Sequence, residues 1–155
     1  MAVMVSEIVN GGKKIHPYLV EKMIDPVTNA GQSMRPAPKE ERLGLEPALL
    51  EKIKLALKEV VASPEGTAHR LSALKIPIGG KTGTAQVVSL DRHCIGAECE
   101  DHAWFVGFAP IEKPEIVVAV LVEHGGHGSS AAAPLAGEII KAYMDGKGVE
   151  NEKTR

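Results

Sequence analysis

A chain of 155 residues that is 44% hydrophobic and 25% charged has the make-up of one folded domain, large enough to bury most of what its unfolded form exposes. Its net charge of −2, with no basic stripe, excludes a nucleic-acid-binding surface. No apolar run approaches the ~20 residues that span a bilayer, no signal-peptide pattern is visible, and with aromatics at only 3% the core must rest on Val, Ile, Leu and Ala.

Residues 1–9 read as an apolar helix stopped by Asn10-Gly11-Gly12. Lys14 to Ile24 alternates enough for an extended hairpin arm, with Pro17 marking an edge position. Asp25 to Gly44 holds Pro26, Pro36, Pro38 and two glycines, which predicts an irregular excursion. Pro47 then opens a helix whose stripe of Leu49, Leu50, Ile53, Leu57, Val60 and Val61 recurs at helical spacing, ending near Ser63-Pro64-Glu65-Gly66. The second half is β-rich. Strands are expected over about 79–90, 102–110 and 115–124, the last two joined by a turn that Pro110 and Pro114 stiffen. Pro134 opens a last helix through about Met144, with Leu135, Ile139, Ile140 and Tyr143 on one side. The expected class is α+β: an antiparallel sheet of about three strands, a C-terminal helix packed on one face, and helices toward the N-terminus. Residues 1–147 should form the folded part and 148–155 a disordered polar tail.

The chemistry gathers at Lys81-Thr82-Gly83-Thr84-Ala85-Gln86. In a strand, successive side chains point to opposite faces, so Lys81 and Gly83 share one and Thr82 and Thr84 the other. At Gly83 no side chain keeps a ligand away from the backbone. Such a strand, at a sheet edge, suits an extended substrate bearing a carboxylate. A phosphate-binding loop would need a glycine six residues before the lysine and a helix after the threonine. Position 75 is Lys75 and strand follows, so that reading fails. The only S-x-x-K is Ser72-Ala73-Leu74-Lys75, too near Lys81 to set a helix-borne nucleophile opposite the strand. Gly125-Gly126-His127-Gly128-Ser129-Ser130 does not satisfy G-x-S-x-G and reads as a structural turn. His16, His69, His124 and His127 show no metal-ligand spacing to one another.

Further segments stand in a telling order around this motif. Ahead lie Ala2-Val3-Met4 through Asn10-Gly11-Gly12, His16-Pro17-Tyr18-Leu19-Val20 and Gly66-Thr67-Ala68. After it come Asp101-His102-Ala103-Trp104-Phe105-Val106-Gly107-Phe108-Ala109-Pro110, then Val117 to Glu123, then Gly125-Gly126. The arrangement resembles the C-terminal part of the transpeptidase domain of class B penicillin-binding proteins, of the elongation type (penicillin-binding protein 2). It covers residues 1 to about 144.

The resemblance implies a partial serine β-lactamase/transpeptidase-like fold and a peptidoglycan D,D-transpeptidase that cross-links stem peptides through an acyl-enzyme and binds β-lactams. Lys81 would then hydrogen-bond the family's S-x-N serine and the substrate carboxylate, and the Thr82 and Thr84 hydroxyls would hold that carboxylate. The Thr84 N–H would be an oxyanion donor, worth ~3–4 kcal/mol in the transition state. Gln86 would lie beside the substrate peptide, or else is a solvated edge residue. The family's nucleophilic S-x-x-K and its S-x-N lie far upstream of K-T-G. Neither is found in place here, so the chain reads as a piece of a longer protein, inactive alone. No cofactor is expected. Partners would be stem peptides, β-lactams and the cell-elongation machinery. The location would be the outer side of the bacterial cytoplasmic membrane, with the anchor outside this sequence. The alternative is a non-catalytic binding or scaffold module that kept part of the fold.

His93, Cys94, Cys99 and His102 place four metal-ligand types within ten residues, though the spacing matches no common zinc motif. An extracytoplasmic enzyme suits a Cys94–Cys99 disulfide, and free thiols are the third possibility.

Overall fold

The computed structural model describes residues 1–37, 40–88 and 96–153. The run Ala103-Trp104-Phe105-Val106-Gly107-Phe108-Ala109 is apolar on both of its faces, so a strand made from it needs cover on both sides. It becomes β4 (His102–Ala109), the middle strand of an antiparallel sheet between β3 (Gly79–Ala85) and β5 (Ile116–Val122). The register pairs Thr82 with Phe105 and Phe105 with Val120. With period-two alternation this register settles which residues share a face.

One face carries Ala103, Phe105, Ala109 and Val118. It packs on Ala132, Ala133, Ala136 and Ile140 of the C-terminal helix α3 (Ala132–Lys153) and on Leu71 of a 3-10 helix over His69–Leu74. The other face carries Val106, Phe108 and Val117. It packs on Val5, Ile8 and Val9 of α1 (Ala2–Val9) and on Leu57 of α2 (Pro47–Ala62). Phe105, Phe108 and Ile140 are fully buried. Each such side chain contributes ~2–3 kcal/mol by leaving water, so the sheet's position between two helical layers is firmly held.

The α+β class, the first two helices and the last two strands agree with the sequence expectation, including a short β4–β5 link through Pro110. β3 starts where expected but ends at Ala85 instead of near residue 90, and residues 86–88 lie outside any strand. Three further points differ. First, α3 continues to Lys153, past the end expected near Met144. Second, the 3-10 helix over His69–Leu74 was not anticipated; Lys75 closes it at φ 56°.

The third concerns residues 13–45. The expected arm and the expected irregular stretch share one small ribbon, β1 (Lys22–Ile24) paired antiparallel with β2 (Gly31–Ser33). Its turn forms because the Asp25 carboxylate accepts the Val27 and Thr28 N–H groups, both at 2.8 Å, while Asn29 takes the left-handed conformation at φ 56°. These two bonds hold the exposed Asp25 carboxyl below its ordinary range. At the ribbon's base a single bridge joins Lys13 to Arg42.

Candidate functional site

Two glycines seat β3 against the core. A Cβ on Gly79 would lie 2.6 Å from the Phe108 ring, and one on Gly80 would lie 2.5 Å from the Phe105 ring. Only glycine lets both phenyl groups pack against the incoming strand. From that anchored start the chain runs out along the sheet's margin. Among the described residues β3 pairs with β4 alone, so its other side has no strand partner. Lys81 and Thr84 are exposed, Thr82 and Gly83 half-buried, and Gln86, just past the strand's end, exposed.

Lysine–threonine–glycine thus forms an accessible border strand, not a phosphate-cradling turn. The Lys81 ammonium donates to the Thr82 carbonyl at 2.7 Å, which curls its charge back along the strand. Face sharing follows the expected alternation. Thr82 and Thr84 share the side of Phe105 and Ala103, whereas Lys81 and Gly83 share that of Val106 and Trp104.

Two features of the site escaped sequence reasoning. The Thr67 and Thr82 hydroxyls lie 2.8 Å apart, fifteen residues apart in sequence. Thr67 arrives there because Gly66 turns tightly over the end of α2, where a Cβ would meet the Val60 carbonyl at 2.3 Å. The Gly-Thr-Ala triplet before the strand was the available signal, and it carried no statement of contact. The second feature is Gly128, whose Cβ would fall 2.5 Å from the Gly83 oxygen and 2.2 Å from the Trp104 oxygen. The chain's own glycine turn therefore lies against the backbone at Gly83. The open approach predicted there is partly taken up by this turn.

Other candidates separate from the motif. Ser72 and Lys75 sit on and just after the 3-10 helix, both exposed, and form no site with Lys81. The Ser130 hydroxyl donates to the His127 carbonyl and is occupied inside the turn. His102 opens β4, with its Nδ1 accepting the His124 N–H at 3.0 Å, a structural role. Cys99 ends a short 3-10 turn over Ala97–Cys99 and is disulfide-bonded. The residues His93 and Cys94, and with them the pairing and the metal set proposed for them, lie outside the described residues. Within the described residues no three ligand-type side chains gather into a metal site. A cleft of about 460 Å³ lined by Lys13, Lys14, His16, Tyr18, Glu41 and Arg42 opens at the ribbon's base and shares no residue with β3.

Chemically, the border offers one ammonium, two hydroxyls on one face and a row of main-chain groups. Such a set has the donors to pair with the main chain of an extended peptide and with a carboxylate. A nucleophile is not part of it.

Known proteins resemble the chain along most of its length. Residues 1–141 match the family described as Penicillin binding protein transpeptidase domain. The peptidoglycan D,D-transpeptidase MrdA of Haemophilus influenzae is 37% identical over 113 residues, 68% of this chain and 17% of that protein. The crystal structure of Pseudomonas aeruginosa PBP2 in complex with WCK 5153 superimposes with a TM-score of 0.72 at 33% identity, covering 90% of this chain and 28% of the other. Penicillin-binding protein A of M. tuberculosis, solved as an imipenem acyl-enzyme complex, matches with a TM-score of 0.67 at 29% identity over 92% of this chain and 29% of the other. The chain thus spans less than a third of the length of each of these three proteins.

Proposed function

Because this chain belongs to the penicillin-binding protein transpeptidase family, we propose that it supplies the substrate-gripping half of a peptidoglycan D,D-transpeptidase of the penicillin-binding protein 2 type. The observation that carries the reading is the border strand itself: Lys81, Thr82 and Thr84 stand along an open sheet margin, seated by Gly79 and Gly80. In this reading the penultimate carbonyl of a stem peptide is attacked by a serine held in an upstream segment. The terminal D-alanine leaves, and an amine from a neighbouring strand resolves the ester. Thr82 and Thr84 hold the terminal carboxylate, Lys81 balances its charge, and the Thr84 N–H receives developing negative charge on the carbonyl oxygen. Gln86 flanks the peptide. β-Lactams enter the same groove, and the partners are those of cell elongation. The work takes place at the outer side of the cytoplasmic membrane. Among the described residues no helix is long and apolar enough to cross it.

Serving neither as nucleophile nor as base, these residues bind and polarise but do not acylate by themselves. A fluorescent penicillin therefore leaves the 155-residue chain unlabelled in a denaturing gel. The same chain joined to an upstream segment bearing S-x-x-K and S-x-N motifs takes the label, and Lys81→Ala weakens it at least tenfold. Covalent label on the isolated chain overturns this placement of the nucleophile. A joined protein that folds yet never labels favours a non-catalytic scaffold.

A further inference from the structure

Nine residues, 123–131, carry the chain from the end of β5 to the start of α3. His124 within them stands at φ 51°, a region that non-glycine residues seldom occupy, so the turn needs outside support. That support comes from residues 100–102. The His124 N–H donates to His102 Nδ1 at 3.0 Å, the His124 ring Nδ1 meets the Glu100 carbonyl at 3.1 Å, and the Gly126 N–H donates to the Asp101 carbonyl at 2.8 Å. The two imidazoles meet edge-on, centroids 4.8 Å apart. Each ring is committed to a different tautomer. His102 Nδ1 accepts, so its proton sits on Nε2; His124 Nδ1 faces a carbonyl and so carries its proton.

The pair sits where it can act on the site. His102 is the register partner of Ala85, the last residue of β3. Four residues past His124, Gly128 lies against Gly83 and Trp104, between Thr82 and Thr84 in the strand order. Its carbonyl accepts the Ala133 N–H at 2.8 Å, which ties the far end of the turn to α3.

We propose that His102 is a positioning residue: by accepting the His124 N–H, it holds the turn in the place from which Gly128 braces the lysine–threonine–glycine strand. The brace bears on the strand at Gly83, where the turn partly covers the backbone. The proposal rests on the functional reading above only for its effect on acylation; the clamp itself is a property of this chain.

The test compares two side chains. The oxygen of asparagine can occupy the place of imidazole Nδ1, whereas leucine fills similar space and accepts nothing. By amide hydrogen exchange on the 155-residue chain, His102→Leu accelerates exchange at His124 and Gly126 about tenfold, as expected for a part-buried hydrogen bond left unmade. His102→Asn stays within about threefold of the parent. The amides of Phe105 and Val120 serve as the folding control and remain unchanged. Should the leucine variant fail to fold, His102→Gln, whose oxygen lies one bond farther out, replaces it with the same expectation. Asparagine exchanging as fast as leucine, or leucine leaving exchange unaltered, overturns the clamp. In the joined protein, fluorescent penicillin should react several-fold more slowly with the leucine variant and at nearly the parent rate with asparagine. Equal rates throughout overturn the positioning role while the clamp stands. A joined parent that never labels sinks the functional reading instead and leaves exchange alone to decide.

Discussion

Two regions of the molecule hold their strands in opposite ways. Around β4 the sheet is covered on both faces, and Ala103, Phe105, Phe108 and Ala109 have no exposed surface at all. In the ribbon every residue of β1 and β2 is exposed, and nearby Leu19 and Val27 stand almost wholly in water. Apolar burial supports the first region. Local hydrogen bonding supports the second, above all the Asp25 turn and the Arg35–Glu21 ion pair. The site strand belongs to the covered region by its Gly79–Gly80 end and to solvent by its Lys81–Thr84 end. A binding edge needs both: a rigid anchor and a wet, reachable margin.

The contrast can be broken most sharply at Phe105. Phe105→Ala should cost ~3–5 kcal/mol in chemical denaturation, because the ring's contacts on both β3 and α3 are lost together. Next comes Gly128→Ala, expected to cost ~1–3 kcal/mol through displacement from the Trp104 and Gly83 oxygens; an unchanged denaturation midpoint would refute close approach there. Thr67→Val should cost ~1 kcal/mol by removing the partner of the Thr82 hydroxyl. In the joined protein it should slow penicillin acylation severalfold, and equal rates would leave Thr67 a bystander.

The ribbon should respond to acid where the sheet does not. Asp25 has its pKa lowered by the backbone N–H groups of Thr28 and Val27, so its contribution is present above the unfolded value near 3.8 and fades as pH falls through the lower folded value. Protection of the Val27 and Thr28 amides, taken relative to the intrinsic exchange rate at each pH, should therefore fall below about pH 3.8 while that of Phe105 holds. The smallest effect belongs to Val27→Ser, which should leave stability within ~0.5 kcal/mol of the parent, since that side chain covers nothing.

Much of this was legible because the signals were local. The K-T-G strand, the apolar run of β4 and β5, and the helix opened by Pro47 each follow from residue types a few positions apart. The ribbon was less legible because strands of three residues carry no alternation long enough to read, and its turn depends on one carboxylate meeting two amides. The length of α3 was less legible because Gly146 and Gly148 fall in its C-terminal half, and glycine is a poor helix former. Around the motif, the alternation of Lys81 and Thr82 could be foreseen, but not that Thr67 would touch Thr82 or that Gly128 would rest on Gly83. Those contacts join residues 15 and 45 positions apart, and tertiary folding alone brings them together.

The far side of the sheet points to a use. Along β5 (Ile116–Val122), one edge pairs with β4, and the amide and carbonyl groups on its other edge meet no strand among the described residues. Main-chain pairing is largely indifferent to side-chain identity, so an added strand of many different sequences has the groups to pair along this edge. Nucleophile-bearing halves taken from distant relatives could be mated to it as in a split reporter. The restored penicillin signal would then rank how faithfully each foreign half fits.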